Sequence, residues 1–153
     1  MTRRCRTSLA FPAALAATLC LVTTPARAGR NADEAAADAC AFKVTAPPAS
    51  LDLPDFYKKH VSAEGYPVVG SEKVSDYALQ EAAYLINMML AKRPDVRKAM
   101  VESGSRVVVM AHNEYTTDVP EHAHLKPKAW WNVRARGLGG SKTDPVCSCG
   151  EEN

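Results

Sequence analysis

Hydrophobic and polar positions along the middle of the chain change period three times, and each period predicts a different element. "GYPVVGS", Gly65 to Ser71, is a short apolar run bounded by glycines, the pattern of a brief buried strand. From Leu79 the spacing turns helical: Leu79, Ala82, Ala83, Ile86, Met89 and Leu90 recur along one face. Ser75 stands at the N-cap position, Asp76 sets a negative charge against the positive end of the helix dipole, and Pro94 restricts the residue before it and closes the helix. Pro94 and Gly104 bracket a second, shorter helix through Val96, Ala99 and Met100. "RVVVMA", Arg106 to Ala111, is β-branched without alternation, as in a strand buried on both faces. Strand, helix, helix, strand is a crossover unit, so the two strands are expected to run parallel in one sheet.

The pattern weakens on either side. "GRNADEAAADACAFKVTAPPAS", residues 29–50, is alanine-rich and polar and ends in Pro47-Pro48, so it reads as a flexible leader. The domain is expected to begin near "LDLPDFYKKHV" and to occupy residues 51–153. After Ala111 the chain is rich in Pro, Gly and polar residues, a loop-rich C-terminal third in which Trp130 and Trp131 argue for some order. The fold class expected is α+β: a small mixed sheet built around the strand-helix-helix-strand unit.

Composition changes the picture only at the N-terminus. Arg3, Arg4 and Arg6 precede the apolar run Leu9 to Val22, which is short for a membrane span, and Ala26-Arg27-Ala28 gives a small-x-small cleavage site. Residues 1–28 therefore read as a secretory signal peptide, with no membrane segment left in the mature form. Its removal takes four arginines and no acids, leaving 15 of the 19 basic side chains against 17 acidic ones, a formal charge of −2. With no basic stripe of interleaved aromatics, nucleic-acid binding is not expected. Export implies an oxidising compartment, and the mature cysteines Cys40, Cys147 and Cys149 are disulfide candidates, a bridge from Cys40 to one of the pair leaving one odd thiol.

Candidate chemistry is sparse. In "DVPEHAHLKPKAWW" an extended backbone would project His122 and His124 to one face, where an H-x-H pair can share a metal, with Glu121, His112 and Glu114 within the same stretch. Imidazoles are as readily ordinary hydrogen-bonding groups, so the pair is a weak metal candidate. "GLGGSKT" lacks the Gly-Lys-Ser/Thr of a phosphate loop, and Asp144-Pro145 stands where its helix would run; the glycines fit a tight loop or a close approach of another segment. Tyr77, Tyr84 and Met88-Met89 are expected to be core packing. No complete active site is visible, and no catalytic residue is assigned.

"GYPVVGSEKVSDYALQEAAYLINMMLAKRPDVRKAM", "SRVVVMAHNEYTTDVPEH", "RARGLGG" and "CGEEN", in that order, resemble a family of secreted bacterial zinc metallopeptidases of zincin type, distantly similar in layout to the catalytic domain of anthrax lethal factor. The resemblance runs from Phe56 to Asn153. It implies the front half of a zincin-like domain, with "EHAHL" and "RGLGG" as loops near the cleft, zinc as the cofactor of full-length relatives and peptides or proteins as their substrates. It also implies a helix bearing H-E-x-x-H after "CGEEN". That motif is absent from these 153 residues, so the chain reads as interrupted, and is expected to be inactive as given. Two other readings remain: a small secreted non-enzymatic binding domain using its Trp130/Trp131 loop, and a small H-x-H metal-binding protein.

Overall fold

The computed structural model describes residues 42–153; the expected signal peptide and Cys40 lie outside the described residues. A five-stranded mixed sheet is flanked by three helices, the α+β architecture expected. In chain order the elements are β1 (Lys59–Ala63), β2 (Tyr66–Gly70), α1 (Asp76–Leu90), α2 (Pro94–Glu102), β3 (Arg106–Met110), α3 (Lys128–Arg134), β4 (Gly137–Leu138) and β5 (Val146–Gly150). Across the sheet the order is β1-β2-β3-β5-β4. The three central strands β2, β3 and β5 are parallel, and the edge strands β1 and β4 run antiparallel to their neighbours.

The expected crossover is present, with α1 and α2 carrying the chain from β2 to β3. Register places Val68 beside Val107 and Val69 beside Val108, so successive residues feed opposite faces. On one face Val68 and Val109 pack with Leu79, Ala83 and Ile86 of α1. On the other, Val69, Val108, Met110 and Val146 pack with Tyr57 and Val119. Both faces of the parallel strands are covered, which is why β2 and β3 read as unbroken apolar runs.

α1 departs from the expectation at its surface. Leu79, Ala83 and Ile86 are buried, but Tyr77 is 74% and Met89 72% exposed, and Met88 is about half exposed, so these are not core side chains. Met89 sits at the margin of the helical stripe, off the line of Leu79, Ala83 and Ile86 that meets the sheet. Ser75 stands at the N-cap without a side-chain capping bond; its own N–H donates to Glu151 Oε2 at 2.9 Å.

Two segments are more ordered than their composition indicated. Phe42 and Val44 pack against the helical-face core and Thr45 pairs with His60, so packing begins within the stretch read as leader. The C-terminal third carries α3, β4 and β5 between its loops, and β5 lies inside the sheet between β3 and β4. Glu64 (φ 51°) and Gly65 (φ 93°) form the two-residue turn joining β1 to β2; both left-handed conformations match the twist of a hairpin.

Candidate functional site

Polar side chains gather on the sheet face away from α1 and α2. Arg106, the first residue of β3, places Nη2 2.5 Å from Glu121 Oε1, and the Tyr57 hydroxyl donates to the other carboxylate oxygen. Burial pushes the Glu121 carboxyl up, but Tyr57 and Arg106 together outweigh it and hold its pKa below the usual carboxylate range. Burial, with the Glu121 carboxylate beside it, pushes the Tyr57 hydroxyl far up, so it stays a donor. Arg106 Nε is buried without a partner among the described residues.

One strand over, Ser148 Oγ lies 3.1 Å from His122 Nε2, and His122 Nδ1 lies 3.5 Å from Asp144 Oδ2. Serine, histidine and aspartate in this order are the parts of a nucleophilic triad. Access decides against that role. Ser148 is 4% and His122 2% exposed, and Ser148 Oγ already accepts the Leu138 N–H at 3.1 Å. The cluster lies under β4, where no substrate carbonyl reaches it, and it fastens the 120–125 segment to β5. Burial lowers the His122 pKa, against the opposing pull of Asp144, which keeps the ring neutral as a buried hydrogen-bonding group.

The histidine pair does not share a face. The chain turns through one turn of 3-10 helix at Pro120–His122, and is not extended there. His122 goes inward while His124 is exposed, its Nδ1 2.8 Å from the Glu121 carbonyl. Pro120, pre-set for a helical first position, is what breaks the two-residue alternation that an H-x-H site needs.

A second polar cluster lies where the parallel strands end. Glu151 accepts from Ser75 N–H through Oε2 and from His112 N–H through Oε1 at 2.8 Å, with His112 Nδ1 at 3.0 Å. The Ser75 amide is the main cause that holds its pKa low, as expected for a carboxylate at a helix N-terminus. Arg136 grips Glu152 through Nε and Nη2 at 2.5 and 2.7 Å, and also donates to the Glu114 and Ala111 carbonyls. The guanidinium holds the Glu152 carboxyl down to about 2. Glu114 turns back onto the Ala111 N–H at 2.9 Å.

These commitments bear on whether the described residues could hold the zinc expected of full-length relatives. Glu114, Glu151 and Glu152 each serve a protein donor, His122 and His124 point apart, and no group of three His, Cys, Asp or Glu side chains converges on a point. The residues present do not fit a zinc ion. Cys147 and Cys149 are free thiols on the helical face of β5, and no bridge joins them. Burial raises the Cys149 pKa, with Cys147 and Glu152 adding to it.

The open feature of this face is β4. Its two residues pair only with β5, and no further strand lies beyond it among the described residues. Gly150 N–H donates to the Arg136 carbonyl at 3.0 Å and Leu138 N–H turns to Ser148, so Arg136 and Leu138 both face β5. Strand alternation then turns the N–H and C=O of Gly137 to the free edge. A Cβ on Gly137 would stand 2.6 Å from the Ser148 carbonyl, so this is the close approach for which the glycine run provides. Neither β4 nor the strand-end cluster was assigned from the sequence. The signal available was Gly137 before an apolar Leu138, too short to carry a period.

No protein-family model matches the chain, and no curated protein or solved structure compared with it is significantly similar.

Proposed function

We propose that this chain is a secreted, zincin-like metallopeptidase-type domain whose sheet binds an extended peptide along the open edge of β4, and that the 153 residues alone do not hydrolyse it. The observation that carries this reading is the outward-facing N–H and C=O of Gly137 on an edge strand that ends a mixed sheet. An unpaired edge pairs with an extended chain through main-chain hydrogen bonds and is indifferent to most side chains. The order of segments that resembles the peptidase family supports the peptide as ligand, and the export-type N-terminus supports its place outside the cytoplasm. Among the described residues no helix is long and apolar enough to cross a membrane. The 153 residues contain no H-E-x-x-H, so the general base and paired imidazoles of that chemistry have no positions here.

Hydrogen exchange on the purified protein, with and without a mixture of unstructured peptides, tests the reading. Slowed exchange at Gly137 and its neighbours, with no EDTA-sensitive cleavage of the peptides in added zinc, is the expected result. Cleavage that EDTA abolishes, or exchange at β4 that peptides leave unchanged, would overturn it. The same edge would serve a non-enzymatic binding domain.

A further inference from the structure

Between the β1–β2 turn and the junction of α1 with α2 lies an open pocket of about 590 Å³, the size of a small-ligand site. Leu90, Ala91, Pro94 and Val101 form apolar walls, and Arg97 and Lys98 bring positive charge to it. Arg97 is only 6% exposed although it is charged. Its Nη1 donates to the Ala63 carbonyl at 3.2 Å and to Asn87 Oδ1 at 2.8 Å, both neutral oxygens of the surrounding fold. The charge is met by Glu64 alone among the described residues, with Nη1 2.5 Å from Oε2. All three contacts use one nitrogen, so the bidentate fork that best recognises a carboxylate is not engaged.

Glu64 is an unusual residue for its place. Its backbone is left-handed at φ 51°, in a turn where Gly, Asn or Asp is the ordinary occupant, and its side chain is 70% exposed. A side chain at that conformation carries backbone strain, and here it delivers a carboxylate from the solvent side onto a buried guanidinium.

We propose that Arg97 is the anchor of a binding site for a small organic monocarboxylate with a short apolar body, and that Glu64 is the tethered carboxylate such a ligand displaces. The four apolar wall residues suit an alkyl or aryl chain. Lys98 is met by Glu102 and Arg97 by Glu64, so a ligand that displaces Glu64 replaces a single carboxylate, and one negative charge, not two, restores the balance. This site is on the opposite edge of the sheet from β4 and does not depend on the peptide reading.

Hexanoate is the probe, titrated into the labelled protein while amide shifts are followed by NMR. The expected result is a saturable set of shifts at Ala91, Arg97, Lys98 and Val101, with none from hexanol. Glu64→Gly removes the competing carboxylate and puts at φ 51° the residue best suited to it, which offsets part of the cost of leaving the Arg97 charge unpaired. Thermal unfolding of the free variant checks that it folds, and hexanoate should bind it about tenfold tighter. Arg97→Gln should abolish binding; if that variant does not fold, the Glu64→Gly and hexanol comparisons still decide. Shifts that do not saturate, shifts that hexanol reproduces, or an affinity that Glu64→Gly leaves unchanged or weaker would each overturn the proposal.

Discussion

His122 Nε2 lies 3.1 Å from Ser148 Oγ, and this contact joins a loop to the middle of a sheet across 26 residues of chain. Its role is structural, because both groups are sealed from solvent. Ser148→Ala should cost about 1 kcal/mol, the net worth of a buried hydrogen bond, and His122→Ala about 2–3 kcal/mol, since it also leaves a cavity. Urea unfolding reads both. A Ser148→Ala variant as stable as the parent would show that the contact does not hold the loop.

Acid should weaken the fold in two stages. Burial holds His60 and His122 below their ordinary value of 6.5, so each takes up its proton less readily folded than unfolded. The unfolded chain then takes up more protons, and the stability they contribute is present above pH 6.5 and is lost as pH falls from there through the folded values. Glu121, Glu151 and Glu152 are held below 4.5 and add a second loss as pH falls beneath it. Urea midpoints between pH 8 and 3 measure this, and a His60→Gln, His122→Gln double variant should flatten the first stage only.

The Tyr57–Glu121–Arg106 cluster should be unequal in its parts. Arg106 and Glu121 are 20% and 14% exposed at their side chains, so Arg106→Met leaves a poorly solvated carboxylate and should cost about 3 kcal/mol. Tyr57→Phe removes one donor and should cost about 1 kcal/mol. Adding Glu121→Gln to Arg106→Met should restore part of the loss; a double variant worse than the sum of the singles would mean the charge pair is not what matters.

Gly137→Ala tests the free edge without touching the core. The new methyl meets the Ser148 carbonyl at 2.6 Å, a backbone atom that cannot step aside, so β4 should separate from β5. Exchange at β4 should quicken and peptide protection should vanish, while thermal unfolding shifts by no more than a few degrees, about 1–2 kcal/mol. Retained peptide protection in this variant would place the peptide elsewhere.

How much of this was legible in the sequence follows from where each residue's partners lie. α1, β2 and β3 declared themselves because their apolar spacing reports burial directly, whereas α2 was marked by Pro94 and Gly104 at its ends, its one buried residue being Arg97. β5 did not: "VCSCG" holds a single aliphatic residue, yet it is a central strand. Its inward positions are Val146, Ser148 and Gly150, small because His122 and the Arg136 guanidinium crowd that face. A strand whose interior is polar and small carries no hydrophobic period. The histidine pair failed for a different reason, since one proline converted an extended segment into a turn. Met89 matched the helical stripe but lies at its exposed margin, and Met89→Lys should shift stability by about 0.5 kcal/mol or less against about 2–5 kcal/mol for Leu79→Ala.

The amide of Ser75, the residue that stands before α1, is held by Glu151, 76 residues further along the chain. During synthesis the Ser75 amide at the start of α1 therefore leaves the ribosome without its carboxylate partner, and only water can serve it until the residues after β5 have been made. The helix and the last strand are bound to one another in time as well as in space. A nascent chain stalled before residue 151 should show a frayed α1 that proteases cut near Ser75, and release of the remaining residues should close that site in a single step.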